Sequence, residues 1–261
     1  MPSTYAHYRF GAQVLPTLPG NIREIVERYR NVYDVGTHGP DLFFYYRPAF
    51  HTSVGKLGGK FHQQPGRSFF GGVCRRLRMQ PSEQATAYLY GLLSHYSLDS
   101  ICHPFVNRAS SGGSFSHTAL ESEFDRFLLT KDKVEKPHLR NLGKHLHLSD
   151  GECDTLRLFY PPATKGQIRE SLRSMAAVTK LLGSSNPLLR GLTVHTLRAT
   201  GESNAGLVMP EAPDARCAEL DEPMLELYEQ ALGNYPEQAS RLQEHLLHQE
   251  PLGELFEPEF G

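Results

Sequence analysis

His95, Asp99, His103, His117 and Glu121 fall between positions 95 and 121, in the pattern HxxxDxxxH followed by HxxxE. An α-helix advances about 100° per residue, so positions four apart share a face. Two helices carrying this pattern would each present a stripe of ligand-type side chains. Imidazoles mixed with carboxylates suit zinc and related divalent metals. Two or three such ions held close together activate water and clamp the oxygens of a phosphoryl group. The chain has 13 His and 29 Asp plus Glu in 261 residues, so a lone HxxxD or HxxxE pair is expected by chance. The clustering of two pairs around His103 is what carries the reading. Asp99, flanked by imidazoles, is suited to bridge ions. Cys102 adjoins His103 but points about 100° away on a helix and reads as packing. Ligating histidines need acceptors behind them; Asp125 and Glu123 are candidates, with surface charge as the plainer alternative.

These stripes need helices to hold them. Pro81-Ser82-Glu83 opens the clearest one, which runs through Ala85, Tyr88, Leu89, Leu92 and Leu93 into the His95–His103 stripe, with Pro104 expected to limit its end. Its apolar interior predicts a helix buried at the centre of a bundle. Residues 108–116 are rich in Gly and Ser and read as a loop, with Ser116 placed to cap a helix carrying His117, Glu121 and Asp125 as far as Leu128. Further helices are predicted at residues 22–33, 68–77, 165–182, 218–233 and 236–248. Residues 41–46 form an aromatic run that reads as a buried strand or a pocket wall, and residues 200–216 read as a loop. Alternating strand patterns are scarce, and no internal repeat or low-complexity tract occurs. The expected fold is all-α, one multi-helix bundle over residues 1–261.

Composition narrows the function. Hydrophobic residues make up 39% and charged residues 21%, as in a globular protein, and the net charge of −2 argues against a dedicated nucleic-acid surface. No stretch approaches 18 apolar residues, and the N-terminus lacks the apolar core of a signal peptide, so a cytoplasmic protein with no transmembrane segment is expected. Cys74, Cys102, Cys153 and Cys217 form no CxxC pair and read as free thiols. No HExxH, GxSxG, P-loop or GxGxxG signature is present. His145 and His147 imitate a metal motif but lack matching acids, which favours a surface or packing role; His138, His195, His245 and His248 have no supporting context.

The segment Gly91-Leu-Leu-Ser-His95-Tyr-Ser-Leu-Asp99-Ser-Ile-Cys-His103-Pro, followed by His117-Thr-Ala-Leu-Glu121, resembles the zinc-dependent phospholipase C family, which is related to the fungal single-strand-specific zinc nucleases. Thr4-Tyr-Ala-His7, Gly39-Pro-Asp41 and Gly58-Gly-Lys-Phe-His62 resemble that family's outlying ligand segments. The resemblance covers roughly residues 1–130. It implies an all-α fold and a cluster of two or three zinc ions. One ion would take Asp41, His62, His95 and Asp99, a second His103, His117 and Glu121, and a third His7 with a share of Asp99. His51 competes with His62, whose preceding glycines fit the family pattern better. Asp41 would also act as general base toward the attacking water. Secreted members complete the third site with an N-terminal tryptophan; this chain has no Trp, and Pro2, exposed by removal of Met1, is the conceivable substitute.

The implied activity is hydrolysis of phosphoric esters, phospholipase C-like, on a small-molecule or phospholipid substrate. Phe43, Phe44, Tyr45, Tyr46 and Phe50 are then either core or the lining of a pocket for an apolar or choline-like group. A nuclease or nucleotidase would share the metal site, with Arg75, Arg76 and Arg78 as the only dense basic group to guide a phosphate backbone. A closed, structural zinc site in a binding module is the non-catalytic alternative.

Overall fold

The computed structural model of the protein describes residues 4–48, 50, 52–199 and 201–261. Among these residues it is all-α: twelve α-helices and six short 3-10 turns, with a single isolated β-bridge between Pro65 and Glu259. The helices are α1 (Thr4–Val14), α2 (Gly20–Arg28), α3 (Arg30–Gly36), α4 (Gly55–His62), α5 (Gly66–Met79), α6 (Glu83–Ser110), α7 (His117–Lys131), α8 (Asp150–Thr155), α9 (Lys165–Leu182), α10 (Pro187–Ala199), α11 (Glu202–Ala205) and α12 (Asp221–His248). Among the described residues, no helix is long and apolar enough to cross a membrane.

Helix α6 is the axis. The Ser82 hydroxyl caps it by accepting from the Ala85 N–H at 3.2 Å. Every residue from Ala87 to Asp99 is buried, because helices surround it on all sides. Its closest neighbour is α3. A Cβ on Gly91 would stand 2.2 Å from the Tyr33 carbonyl oxygen, and one on Gly36 2.8 Å from that of Tyr88, so two glycines let the backbones touch. Helix α12 packs on another side, with Tyr235 donating from its hydroxyl to the Tyr90 carbonyl at 3.1 Å. Phe10, Phe43, Phe70, Phe124, Phe159, Tyr160 and Tyr228 complete the aromatic core around them.

Several boundaries differ from the sequence reading. Helix α6 continues through Pro104 to Ser110. Pro104 lies on the exposed side, where losing one backbone bond is cheapest, and the flanking Cys102, His103 and Val106 are held by tertiary packing. The same reason joins the expected helices at 218–233 and 236–248 into α12, with Pro236 exposed in its interior. Residues 22–33 split instead of running on: Tyr29 adopts φ −115° and ψ 44°, turning the chain between α2 and α3 so that α3 can cross α6 at its glycine. Residues 41–46 are neither strand nor sheet edge, since Gly39–Tyr45 winds as a 3-10 turn. Helix α1, which has weak sequence periodicity, was not expected, and α11 adds one turn inside the loop of residues 200–216.

Candidate metal centre

Three sets of ligand-type side chains meet at the middle of α6. They are His7, His95 and Asp99; Asp41, His62 and His95; and His103, His117 and Glu121, each set having its ligand atoms within 4.8 Å of one another. Five separate elements deliver them. Helix α6 supplies His95, Asp99 and His103 from one stripe, α7 supplies His117 and Glu121, α1 His7, α4 His62, and the 3-10 turn Asp41. Apart from His117, all are buried, and His117 is 23% exposed.

Asp99 sits at the junction. Its Oδ1 lies 3.2 Å from His7 Nε2 and 3.3 Å from His103 Nε2. Its Oδ2 lies 3.1 Å from His95 Nε2 and 3.6 Å from His62 Nε2. His62 Nε2 is also 3.2 Å from Asp41 Oδ1, and His117 Nε2 is 3.1 Å from Glu121 Oε1. Donor atoms at about 2.0–2.1 Å around a tetrahedral ion stand about 3.3 Å apart, so an ion could be held between these atoms with little movement of the side chains.

Local structure explains how the side chains reach these places. Gly39 has φ +48°, and a Cβ there would meet His95 Cδ2 at 2.5 Å. Only glycine lets the turn bring Asp41 in beside the His95 ring. The carboxylate of Asp125 on α7 accepts the backbone N–H groups of Tyr5 at 2.9 Å and Ala6 at 2.8 Å, tying down the start of α1 two residues before His7. Ser116 caps α7 by accepting from the Ala119 N–H at 3.2 Å, as the sequence suggested. His62 Nδ1 donates to the Gly58 carbonyl at 2.7 Å, and His117 Nδ1 lies 3.1 Å from Asn107 Oδ1, each leaving Nε2 toward the cluster.

The chemistry of this donor set fits zinc. With its Nδ1 proton committed to Gly58, neutral His62 aims a lone pair at the Asp41 and Asp99 carboxylates. A cation must sit between them. Burial disfavours the imidazolium, yet the two carboxylates outweigh it and push His62 up to about 9, so a proton fills that role when no metal does. His95, fully enclosed, is instead pushed by burial down to about 3 and is a neutral donor at any physiological pH. Burial would raise Asp99, but His103, His95 and His7 hold it well below the usual carboxylate range. The buried atoms His95 Nε2, His103 Nε2, Asp99 Oδ2 and Glu121 Oε2 have no hydrogen-bond partner, which is costly unless a ligand satisfies them. Five imidazoles and three carboxylates give the cage a formal charge of −3, matched to more than one divalent ion.

Other sequence candidates fall elsewhere. His51, Met1 and Pro2 lie outside the described residues. Glu123 is neither surface charge nor beside a ligand histidine: it is fully buried and bidentate to Arg126, at 2.9 Å (Nε to Oε2) and 2.5 Å (Nη2 to Oε1). The aromatic run divides. Phe43 and Tyr45 are core, while Phe44 and Phe50 are exposed and Tyr46 half-buried. Cys102 packs in the core, as read, and the four cysteines are free and buried. His145 packs between Tyr8, at 4.2 Å between ring centroids, and His38, whose Nε2 it meets at 2.6 Å.

Sequence reasoning missed His38, which stands behind His7, and the chain's last residues. Phe260 packs against the His62 and His95 rings, and the Gly261 N–H donates to the His62 carbonyl at 3.3 Å. The spacing of Asn107, four after His103, was a usable signal; the C-terminal segment offered none.

Residues 6–160, more than half of the chain, match the family model described as zinc dependent phospholipase C. The match extends 30 residues past the resemblance seen at residues 1–130 (160 − 130) and ends at Tyr160, whose hydroxyl bonds that of Tyr88 at 2.8 Å. No curated protein and no solved structure matches the chain.

Proposed function

Because the chain belongs to the zinc-dependent phospholipase C family, we propose that it hydrolyses phosphoric esters, phospholipase C-like, at a cluster of two or three zinc ions. The observation that supports this reading best is Asp99, with imidazoles of α1, α4 and α6 facing both of its oxygens. Asp41, His62, His95 and Asp99 would hold one ion, His103, His117 and Glu121 a second, and His7 with Asp99 a third. Zinc held there would act as a Lewis acid, making the attacking water more acidic and polarising a phosphoryl oxygen.

The chain's own groups do the rest. Asp41 takes the proton of the attacking water at a carboxylate oxygen, while Gly39 keeps that carboxylate against His95. Gly58 and Asn107 fix the tautomers of His62 and His117. Phe260 and the core aromatics behind His62 and His95 keep bulk water from the rear of the site. His117, the most exposed of the eight, marks the side from which a substrate phosphate arrives. We read residues 1–261 as a single domain, since the C-terminal segment closes onto the same cluster as α1.

The nuclease reading loses support at its basic group. Arg76 donates to the Leu158 carbonyl at 2.6 Å and Arg78 to that of His245 at 2.8 Å, so both guanidiniums are occupied in packing helices together. Turnover of a soluble chromogenic phosphodiester by zinc-loaded protein, abolished by chelator and restored by zinc, is the expected result. Equal turnover by stripped and loaded protein would refute it.

A further inference from the structure

One groove beside the metal centre has a composition that the hydrolytic chemistry does not explain. It encloses about 500 Å3 and is lined by Phe44, Tyr46 and Phe50 on one side and by Lys56, Gly59 and Lys60 of α4 on the other. Phe50 is 72% exposed and Phe44 38%. The Phe50 ring gains little from packing in the folded chain, and it lies in one patch with Phe44 rather than alone. Lys56 and Lys60, four apart, share a face of α4. No acidic residue lines the groove among the described residues. Arg47 at the border is already paired with Glu170 at 2.8 Å, which leaves the two lysines as the groove's uncompensated charge.

The groove adjoins the site across the Phe44 ring. The Phe44 ring lies 5.5 Å from the His62 ring, and Gly58 makes room for it, since a Cβ there would stand 2.9 Å from Phe44. Exposed aromatics beside unpaired lysines are the chemistry of a surface that meets an anionic lipid layer: rings enter the acyl boundary and ammonium groups stay with the headgroups. The same charges repel a choline-like cation, which argues against the choline pocket that the aromatic run suggested.

We propose that this groove docks the protein on an acidic phospholipid surface, with Phe50 entering the apolar layer and Lys56 and Lys60 holding the anionic headgroups. This rests on the hydrolase reading only for its purpose, namely holding the protein on the layer that carries the lipid phosphoester; the docking itself needs no turnover.

Co-sedimentation of the zinc-loaded protein with phosphatidylglycerol vesicles and with phosphatidylcholine vesicles tests it. Binding is expected to the acidic vesicles and to be much weaker on the zwitterionic ones. Each lysine near a charged surface contributes about fivefold in affinity, so K56Q/K60Q should weaken binding by about 25-fold. Phe50→Ser should weaken it by about tenfold through lost apolar burial. Zinc content should be unchanged in both variants. Failure to bind acidic vesicles, equal binding to both lipids, or full binding by K56Q/K60Q would overturn the proposal. So would single-stranded DNA binding through the same two lysines without any vesicle binding. Vesicle binding without hydrolysis of any phosphoester would uphold the docking while the hydrolase reading fell. Hydrolysis of a soluble phosphodiester without vesicle binding would overturn the docking alone.

Discussion

Asp125→Ala tests how His7 is held. The Asp125 carboxylate accepts two backbone N–H groups, from Tyr5 at 2.9 Å and Ala6 at 2.8 Å, at the first turn of α1. Those N–H groups have no intrahelical partner, because the first turn of any helix leaves its donors orphaned. Asp125 is 3% exposed, so truncation removes two charge-assisted bonds from a largely dry site. At about 1.5 kcal/mol each the loss is roughly 3 kcal/mol. For a chain of this length that corresponds to a fall in Tm of about 6–12 °C. Helix α1 then loosens at the end that carries His7. The sets without His7 (Asp41, His62 and His95; His103, His117 and Glu121) draw on α4, α6, α7 and the 3-10 turn. The expected phenotype is therefore selective: lower Tm, and loss of the zinc equivalent assigned to His7 while the others remain. Thermal unfolding with zinc quantitation on the same sample reads both. A Tm within about 1 °C of the parent would refute the cost assigned to these bonds. Retention of every zinc despite the lower Tm would refute the link from Asp125 to His7.

Gly39→Ala should destabilise by about 2–3 kcal/mol, combining a positive φ for an L-residue with displacement of His95 from its rotamer; a variant that keeps its Tm and its zinc would contradict the role given to Gly39. Zinc binding should strengthen as pH rises. His62, raised to about 9 by Asp41 and Asp99 against the effect of burial, is protonated in the metal-free protein at pH 7, so zinc must displace that proton, and affinity should climb about tenfold per pH unit up to the folded-state pKa. Calorimetric titration in buffers of different ionisation enthalpy counts the proton, and no proton release at pH 7 would contradict the geometry. Burial and the neighbouring Glu123 raise Asp221 to about 7. A raised carboxyl is a stabilising difference present below its unfolded pKa and lost as pH rises through about 7, so Asp221→Asn should raise Tm at pH 8 and leave it nearly unchanged at about pH 3. Identical shifts at both pH values would show that Asp221 does not ionise beside Glu123.

Much of the candidate site was legible because helical spacing is local. His95, Asp99 and His103 share a stripe by arithmetic alone, as do His117 and Glu121. The all-α architecture also followed from scarce alternation and an uninterrupted apolar helix. His7, Asp41 and His62 needed the family resemblance, because their approach depends on tertiary contacts such as Asp125 with α1 and Gly39 with His95. Prolines misled the reading of α6 and α12: a proline on the exposed side loses one bond without ending a helix held by packing elsewhere. The aromatic run could not be divided from sequence, since the 3-10 turn buries Leu42, Phe43 and Tyr45 and exposes Phe44, and consecutive apolar residues mark no outward position. Glu123 gave no sign of burial because the groups that close over it, the Asp214 N–H at 3.1 Å and Asp221, come from far along the chain.

Metal content tests the account most directly. Elemental mass spectrometry on untagged protein, purified without chelator and then titrated with zinc, should find two or three equivalents per chain. Asp99→Asn should lose both metal and hydrolysis together, because every set loses a neighbour at that carboxylate. A parent protein that holds no zinc and takes up none on titration, or an Asp99→Asn variant with full metal and full activity, would contradict the central claim.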